Sequence, residues 1–223
     1  METLKFVLMV ITFIGCIVIV ILEIWAKVNS RGAWKEVAEE LRLNHQHKWG
    51  YDTQRLKGEV RGVEISARGR IEKRRRGRHT VTDYFVVIRA DIGADWASGL
   101  TISKCSSESP SEARSSNRVG HQAFDSRFRV DGVLGDEQLA GLRDPKITDT
   151  LIRLDSAFDL LTISDGRIRV DKEIRITDPG EFRRLINLVV DTAVAFQNVD
   201  IQQTVLDFEA VEEQSVVSDD VVW

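Results

Sequence analysis

The chain has 223 residues, with 31 Lys and Arg against 35 Asp and Glu, which gives a formal net charge of −4 at pH 7. Hydrophobic residues make up 43% and charged residues 30%, a composition typical of globular proteins that excludes a wholly disordered chain. Three prolines exclude a collagen-like or proline-rich stalk, and two cysteines exclude a disulfide framework or a cysteine-based zinc cluster.

An apolar run near the amino terminus predicts a single membrane-spanning helix. In residues 6–22, only Thr12 and Gly15 are neither large apolar residues nor cysteine. Seventeen helical residues span roughly 25 Å, and residues 24–26 extend the run toward the ~30 Å of a bilayer core. No A-x-A pattern follows, so an uncleaved anchor over 1–26 is favoured over a cleaved signal peptide or a buried helix of a soluble protein.

The charges that flank this run predict its orientation. The amino-terminal side carries Lys5, whereas the carboxyl-terminal side is richer in basic residues, namely Lys27, Arg31, Lys35 and Arg42. Because Lys and Arg are enriched on the cytoplasmic side of membrane helices, we expect a plasma (inner) membrane protein with a cytoplasmic carboxyl-terminal domain. The free thiol of Cys105 agrees with a reducing compartment.

Residues 27–199 are long enough for one domain with a hydrophobic core, and they carry a net charge of +4. Residues 200–223 hold seven acids and no base, which predicts a disordered acidic tail. Residues 103–119 are rich in serine and predict a long loop. The domain between these segments is expected to be α+β, with an antiparallel sheet packed by helices.

Hydrophobic periodicity and turn signals predict the elements of this domain. In chain order they are a helix over 33–43, two strands on either side of Arg61-Gly62, a strand over 80–90, a short strand from Leu100 to Ile102, a strand over 127–131, two helices over 136–143 and 147–156, a hairpin that turns at Asp165-Gly166, and a helix that starts after Asp178. Aspartate-glycine favours a type I′ hairpin turn, and Asp178 followed by Pro179 favours a helix start.

The sequence carries none of the common catalytic signatures. It has no G-x-S-x-G, H-E-x-x-H, C-x-x-C, G-x-x-x-x-G-K or G-x-G-x-x-G motif, and no cofactor is predicted. His45 and His47 form an H-x-H pair, which suits either a metal site or two loop histidines. The loop interpretation is favoured because no third ligand lies close in the sequence.

The candidate site is a run of basic residues between two predicted strands, one ending near Ile71 and the other starting near Thr80. Against the single acid Glu72, the run contains Arg68, Arg70, Lys73, Arg74, Arg75, Arg76 and Arg78. Residues 68–79 would then form the tip of a basic hairpin. Because seven cations on one protrusion repel one another, they either stay solvated or meet an anionic surface.

These features predict a non-enzymatic binding or scaffold module that docks on anionic lipid headgroups or on an acidic protein. Nucleic acid is disfavoured because no stacking aromatic residues alternate with the basic ones. The acidic tail is a candidate to mask the hairpin in cis. The alternative is a membrane-tethered enzyme whose site is assembled from distant residues. The oligomeric state is left open.

One stretch of the domain resembles a known sequence pattern. Residues 120–132, Gly-His-Gln-Ala-Phe-Asp-Ser-Arg-Phe-Arg-Val-Asp-Gly, read as G-x-x-x-F-D-x-x-F-x-V-x-G. This is similar to a stretch in uncharacterised bacterial proteins that carry amino-terminal membrane helices. The resemblance implies a bacterial membrane-anchored domain and brings no activity. Physically, Phe124, Phe128 and Val130 are expected to anchor the core, and Asp125 to hydrogen-bond the neighbouring turn.

Overall fold

The structure, a computed structural model, describes residues 2–47, 50–77, 79–105, 118–132 and 134–199. The strands within these residues are β1 (Asn44–Gln46), β2 (Arg55–Val60), β3 (Val63–Arg76), β4 (His79–Asp91), β5 (Thr101–Lys104), β6 (Phe128–Asp131), β7 (Leu160–Ser164) and β8 (Arg167–Glu173). The helices are α1 (Glu2–Glu40), α2 (Gln122–Asp125), α3 (Asp136–Arg143), α4 (Pro145–Ala157) and α5 (Pro179–Gln197).

All described strands join one antiparallel sheet in the order β1-β2-β3-β4-β8-β7-β5-β6. The α+β prediction is therefore confirmed. The turn at Asp165 and Gly166 is also confirmed, since both residues have positive φ values of 51° and 68°, as a type I′ turn requires. Arg61 and Gly62 connect β2 and β3 in the same way, with φ values of 53° and 81°.

Helix α5 supplies the longest apolar stripe that packs against the sheet. The side chain of Asp178 accepts a hydrogen bond from the amide of Gly180 at 2.9 Å, and Pro179 occupies the first turn, as predicted. The stripe is buried at helical spacing and comprises Phe182, Leu185, Ile186, Val189, Val190, Ala193 and Phe196. Together with α1, α5 therefore covers one face of the sheet and leaves the opposite face free of helices in the described part of the chain.

Helix α1 differs from the sequence prediction because the anchor and the following helix are continuous. The sequence predicted a separate helix over 33–43, whereas the structure has one helix of 39 residues that ends at Glu40. No proline lies in this segment to interrupt the backbone hydrogen bonds. The carboxyl-terminal part of α1 packs on the core through Trp34, Val37 and Ala38, which are all buried.

The amino-terminal part of α1 is long and apolar enough to cross a membrane. Within Ile11–Glu40, the apolar window has a mean hydropathy of 2.3 and is 0% buried. A core helix of a soluble protein would be mostly buried, whereas a signal sequence would satisfy the same criteria of length and composition. Length and composition therefore permit a membrane span.

The G-x-x-x-F-D-x-x-F-x-V-x-G stretch forms part of the core, as predicted. Phe124 and Val130 are fully buried, Phe128 is 3% exposed, and the two phenyl rings lie 4.9 Å apart. The carboxylate of Asp125 accepts hydrogen bonds from the amides of Val119 and Gly120, each at 3.0 Å. The aspartate thus fixes the turn that precedes α2.

The serine-rich loop predicted over 103–119 begins at a later residue in the structure. Ser103 and Lys104 belong to strand β5, because Ser103 pairs with Arg129 of β6 and Thr162 of β7. The predicted serine-rich loop therefore starts later than residue 103. Its residues 106–117 and the acidic tail 200–223 lie outside the described residues.

Candidate functional site

The predicted basic site lies mostly on strands and not on a loop. Strand β3 extends to Arg76 and β4 starts at His79, and these two residues are paired in the antiparallel register. Strand β3 therefore continues beyond the predicted end near Ile71, whereas the predicted start of the next strand near Thr80 is confirmed to within one residue. Arg78 and the side chain of Arg76 lie outside the described parts of the structure.

Strand alternation divides the basic residues between the two faces of the sheet. Arg68, Arg70 and Arg74 lie on the face opposite α1. Lys73 and Arg75 lie on the face toward α1, and Lys73 lines a cavity together with α1. The predicted single patch is therefore two separate sets of cations.

Two of these arginines form ion pairs with acids on other strands as well as with Glu72. Arg70 lies 3.2 Å from the carboxylate of Asp171, which is 4% exposed and also binds Arg169 at 3.2 Å. Arg74 binds Glu72 at 3.1 Å and Asp83 at 3.4 Å. Acids outside the basic run therefore add to the charge of Glu72, the single acid within it.

The same two arginines cover an apolar side chain on the exposed face. The guanidinium of Arg70 lies 4.7 Å from the centroid of the Phe85 ring, and that of Arg74 lies 5.9 Å from it. Phe85 is only 7% exposed although no helix among the described residues covers this face. Arg70 and Arg74 thus have a structural role in shielding the ring.

The cavity between α1 and the β3–β4 hairpin, here called the α1–hairpin cavity, has a volume of about 610 Å³. Its apolar wall on α1 includes Ile24 and Val28, and its basic residues include Lys73 and Arg175. Ser30 also lines it, is 3% exposed, and has a hydroxyl without a hydrogen-bond partner in the described structure. The cavity therefore combines apolar walls with cations and one unsatisfied hydroxyl.

Tyr51 forms a rigid wall of this cavity. Its hydroxyl donates to the carbonyl of Ile174 at 3.0 Å and accepts from the amide of Ile176 at 3.3 Å. Burial raises the pKa of Tyr51 to about 12, so the phenol is neutral at physiological pH. Gly69 permits this packing, because a Cβ at that position would lie 2.3 Å from the carbonyl oxygen of Tyr51.

The hairpin tip points along α1 toward its amino terminus. The ring of Trp34 lies 6.3 Å from that of Tyr51, which packs against Gly69 of β3. Farther toward the amino end of α1, Ile24 shares the α1–hairpin cavity with Lys73, which lies farther along β3. Beyond Lys73 the strand continues for three residues, about 10 Å.

His45 and His47 stack on each other, and His45 also contacts a nearby glutamine. His45 Nε2 lies 2.8 Å from Gln54 Oε1, and the rings of His45 and His47 are stacked with centroids 6.1 Å apart. Partial burial lowers the pKa of His47, as do the charges of Arg31 and His45. No group of three His, Cys, Asp or Glu residues suited to a metal ion occurs in the described ranges.

Further basic residues reach these sites only through the fold. Arg175 joins Lys73 at the α1–hairpin cavity, and Arg55 and Arg89 join Arg68 on the opposite face. Each lies outside the basic run, so the sequence pattern does not reveal its neighbours. Comparison of the chain with family models, with curated proteins and with solved structures finds no match.

Proposed function

We propose that this protein is a single-pass membrane protein whose domain docks on anionic headgroups of its own membrane through the tip of the β3–β4 hairpin. One observation carries this proposal, namely that the hairpin and the apolar helix share the α1–hairpin cavity. If the apolar part of α1 spans the bilayer, the hairpin tip lies at the membrane surface.

The continuity of α1 supports a fixed orientation of the domain. The helix runs from the apolar segment into the core at Trp34 without a flexible linker. Trp25 is 63% exposed and lies at the end of the apolar segment, where aromatic side chains favour the membrane interface. Docking then costs little conformational entropy, because the helix already holds the tip near the lipid.

The charges at the tip match an anionic surface. Lys73 and Arg75 are exposed, and neither has an ion-pair partner among the described residues. Each basic residue near an anionic leaflet contributes about 1 kcal/mol. Lys73 and Arg75 together are therefore expected to shift the docked equilibrium about thirtyfold.

Docking is tested with a fluorophore on Thr80→Cys, near the tip, in a Cys16→Ala/Cys105→Ser background. The full chain is reconstituted in phosphatidylglycerol–phosphatidylcholine vesicles or in phosphatidylcholine alone, each with a headgroup-linked nitroxide quencher. We expect stronger quenching in the anionic vesicles, lost in high salt and in Lys73→Ser/Arg75→Ser. Equal quenching in both kinds of vesicle would contradict docking. So would quenching of Lys73→Ser/Arg75→Ser in anionic vesicles that equals that of the parent protein.

A charge-matched control separates the tip from the net charge of the protein. Arg153 and Arg184 are exposed on α4 and α5, so Arg153→Ser/Arg184→Ser removes two cations elsewhere. We expect this control to be quenched like the parent protein. Loss of quenching in the control would mean that net charge, and not the tip, holds the domain to the membrane.

The proposed insertion and cytoplasmic orientation make a separate prediction. Cys105 is exposed, and partial burial raises the pKa of its thiol, so labelling is done at mildly alkaline pH. In intact bacteria, a membrane-impermeant maleimide is expected to leave Cys105 unlabelled until the cells are lysed, in a Cys16→Ala background. The protein is expected to stay in the membrane after alkaline carbonate extraction. Labelling in intact cells would contradict the cytoplasmic orientation. Release of the protein by carbonate would contradict the membrane anchor.

A further inference from the structure

The sheet face opposite α1 has two halves of different charge balance. In the half nearer the hairpin tip, the arginines are paired with acids. Arg70 binds Glu72 and Asp171, and Arg74 binds Glu72 and Asp83. This half of the face has little remaining affinity for an anion.

The other half holds four cations around a notch of about 240 Å³, here called the arginine notch. The cations are Arg55, Lys57, Arg68 and Arg89. Lys57 is 3.2 Å from Glu64, whereas the three arginines form no ion pair within the described residues. The notch therefore has a surplus of positive charge that its own described surroundings do not neutralise.

Strand register explains why these cations meet. Arg55 of β2 is directly opposite Arg68 of β3, and Ser66 of β3 is directly opposite Arg89 of β4. The short Ser66 side chain leaves open space between the longer ones, and its hydroxyl is an additional hydrogen-bond donor.

Arg68 lies among other arginines, directly opposite Arg55, so that like charges repel one another there. Burial lowers the pKa of Arg68, and the neighbouring cations Arg89, Arg169, Arg55 and Arg70 lower it further. An anion bound in the notch would relieve this repulsion, since an opposite charge favours the charged form of each arginine.

We propose that the arginine notch binds a phosphate group through Arg55, Arg68 and Arg89. Guanidinium groups match phosphate with paired N–H donors, and a phosphate monoester has up to two negative charges and three terminal oxygens to accept them. A carboxylate has one charge and two oxygens, so three arginines around one notch favour phosphate. The side chains of Ser66 and Gln46 line the same notch and are further donors.

This site is separate from the proposed membrane contact. Strand alternation places Arg68 on the face opposite Lys73 and the α1–hairpin cavity. Its phosphate therefore comes from the aqueous side, either on a small solute or on a phosphorylated side chain. The domain would then hold a phosphate-bearing ligand near the membrane.

The test measures ligand binding by the full chain in neutral detergent micelles at constant ionic strength. Calorimetric titration measures the binding of inorganic phosphate, of a phosphoserine peptide and of the same peptide without the phosphate. A second measurement is the rise in unfolding temperature that a ligand of the folded state causes. We expect the parent protein to bind inorganic phosphate, the phosphopeptide or both. In Arg68→Gln/Arg89→Gln this affinity is expected to fall by about tenfold or more. Arg55→Gln is a second variant should the double variant fail to fold.

The control Arg153→Gln/Arg184→Gln removes the same charge from the helical side and is expected to bind phosphate like the parent. Equal affinity for inorganic phosphate and the phosphopeptide would indicate a small solute, and markedly tighter phosphopeptide binding would indicate a protein partner. Both outcomes support the site. The proposal is wrong if neither phosphorylated ligand binds, or if the arginine variants bind as tightly as the parent.

Discussion

Trp34→Ala is expected to destabilise the full chain in detergent by about 3–5 kcal/mol. Trp34 is fully buried at the point where α1 meets the domain, and its ring lies 4.5 Å from that of Phe182. Removing it leaves a large cavity between α1, α5 and the wall formed by Tyr51. Chemical denaturation followed by circular dichroism measures the change in the free energy of unfolding.

Two further variants distinguish packing from hydrogen bonding and from membrane contact. The indole Nε1 of Trp34 is buried without a hydrogen-bond partner in the described residues, so Trp34→Phe should retain much of the stability. Trp25 lies on the same helix but is 63% exposed, so Trp25→Ala should leave the free energy of unfolding in detergent nearly unchanged. A small effect of Trp34→Ala would show that α1 does not pack on the domain.

Phe124→Ala is also expected to cost about 3–5 kcal/mol of stability. The ring is fully buried and contacts Phe128, so its removal opens a cavity beneath the turn that Asp125 holds. Thermal unfolding of the full chain measures the loss as a lower midpoint temperature.

The matched control lies on the same short helix. Gln122 is exposed on α2, so Gln122→Ala keeps the helix and removes no buried group. Its midpoint should stay close to that of the parent. An unchanged midpoint in Phe124→Ala would instead assign the ring to an exposed contact with another molecule.

The sequence alone predicted the elements whose signals are local. The turn at Asp165-Gly166 depends on two adjacent residues that accept positive φ, and the start of α5 depends on Asp178 and Pro179. The core role of Phe124 likewise followed from apolar spacing within a few residues. Such preferences are set by backbone sterics and neighbouring side chains, so they can be predicted without the fold.

The continuity of α1 was missed because charged residues follow the apolar run and suggest a boundary. The sequence separated an anchor at 1–26 from a helix at 33–43, yet nothing between them breaks the helix. Packing of Trp34 and Val37 against the domain stabilises the carboxyl-terminal part of α1. That stabilisation is tertiary, and local composition does not reveal it.

That a basic segment and an apolar helix occur in one chain can be read from the residues in order. Which cations remain uncompensated depends on the fold, because ion pairing involves residues that strand register brings together. Asp83 and Asp171 neutralise Arg74 and Arg70 from other strands, whereas Arg68 meets further arginines. Electrostatic interaction depends on distance in space, and that distance is set by the pairing of the strands.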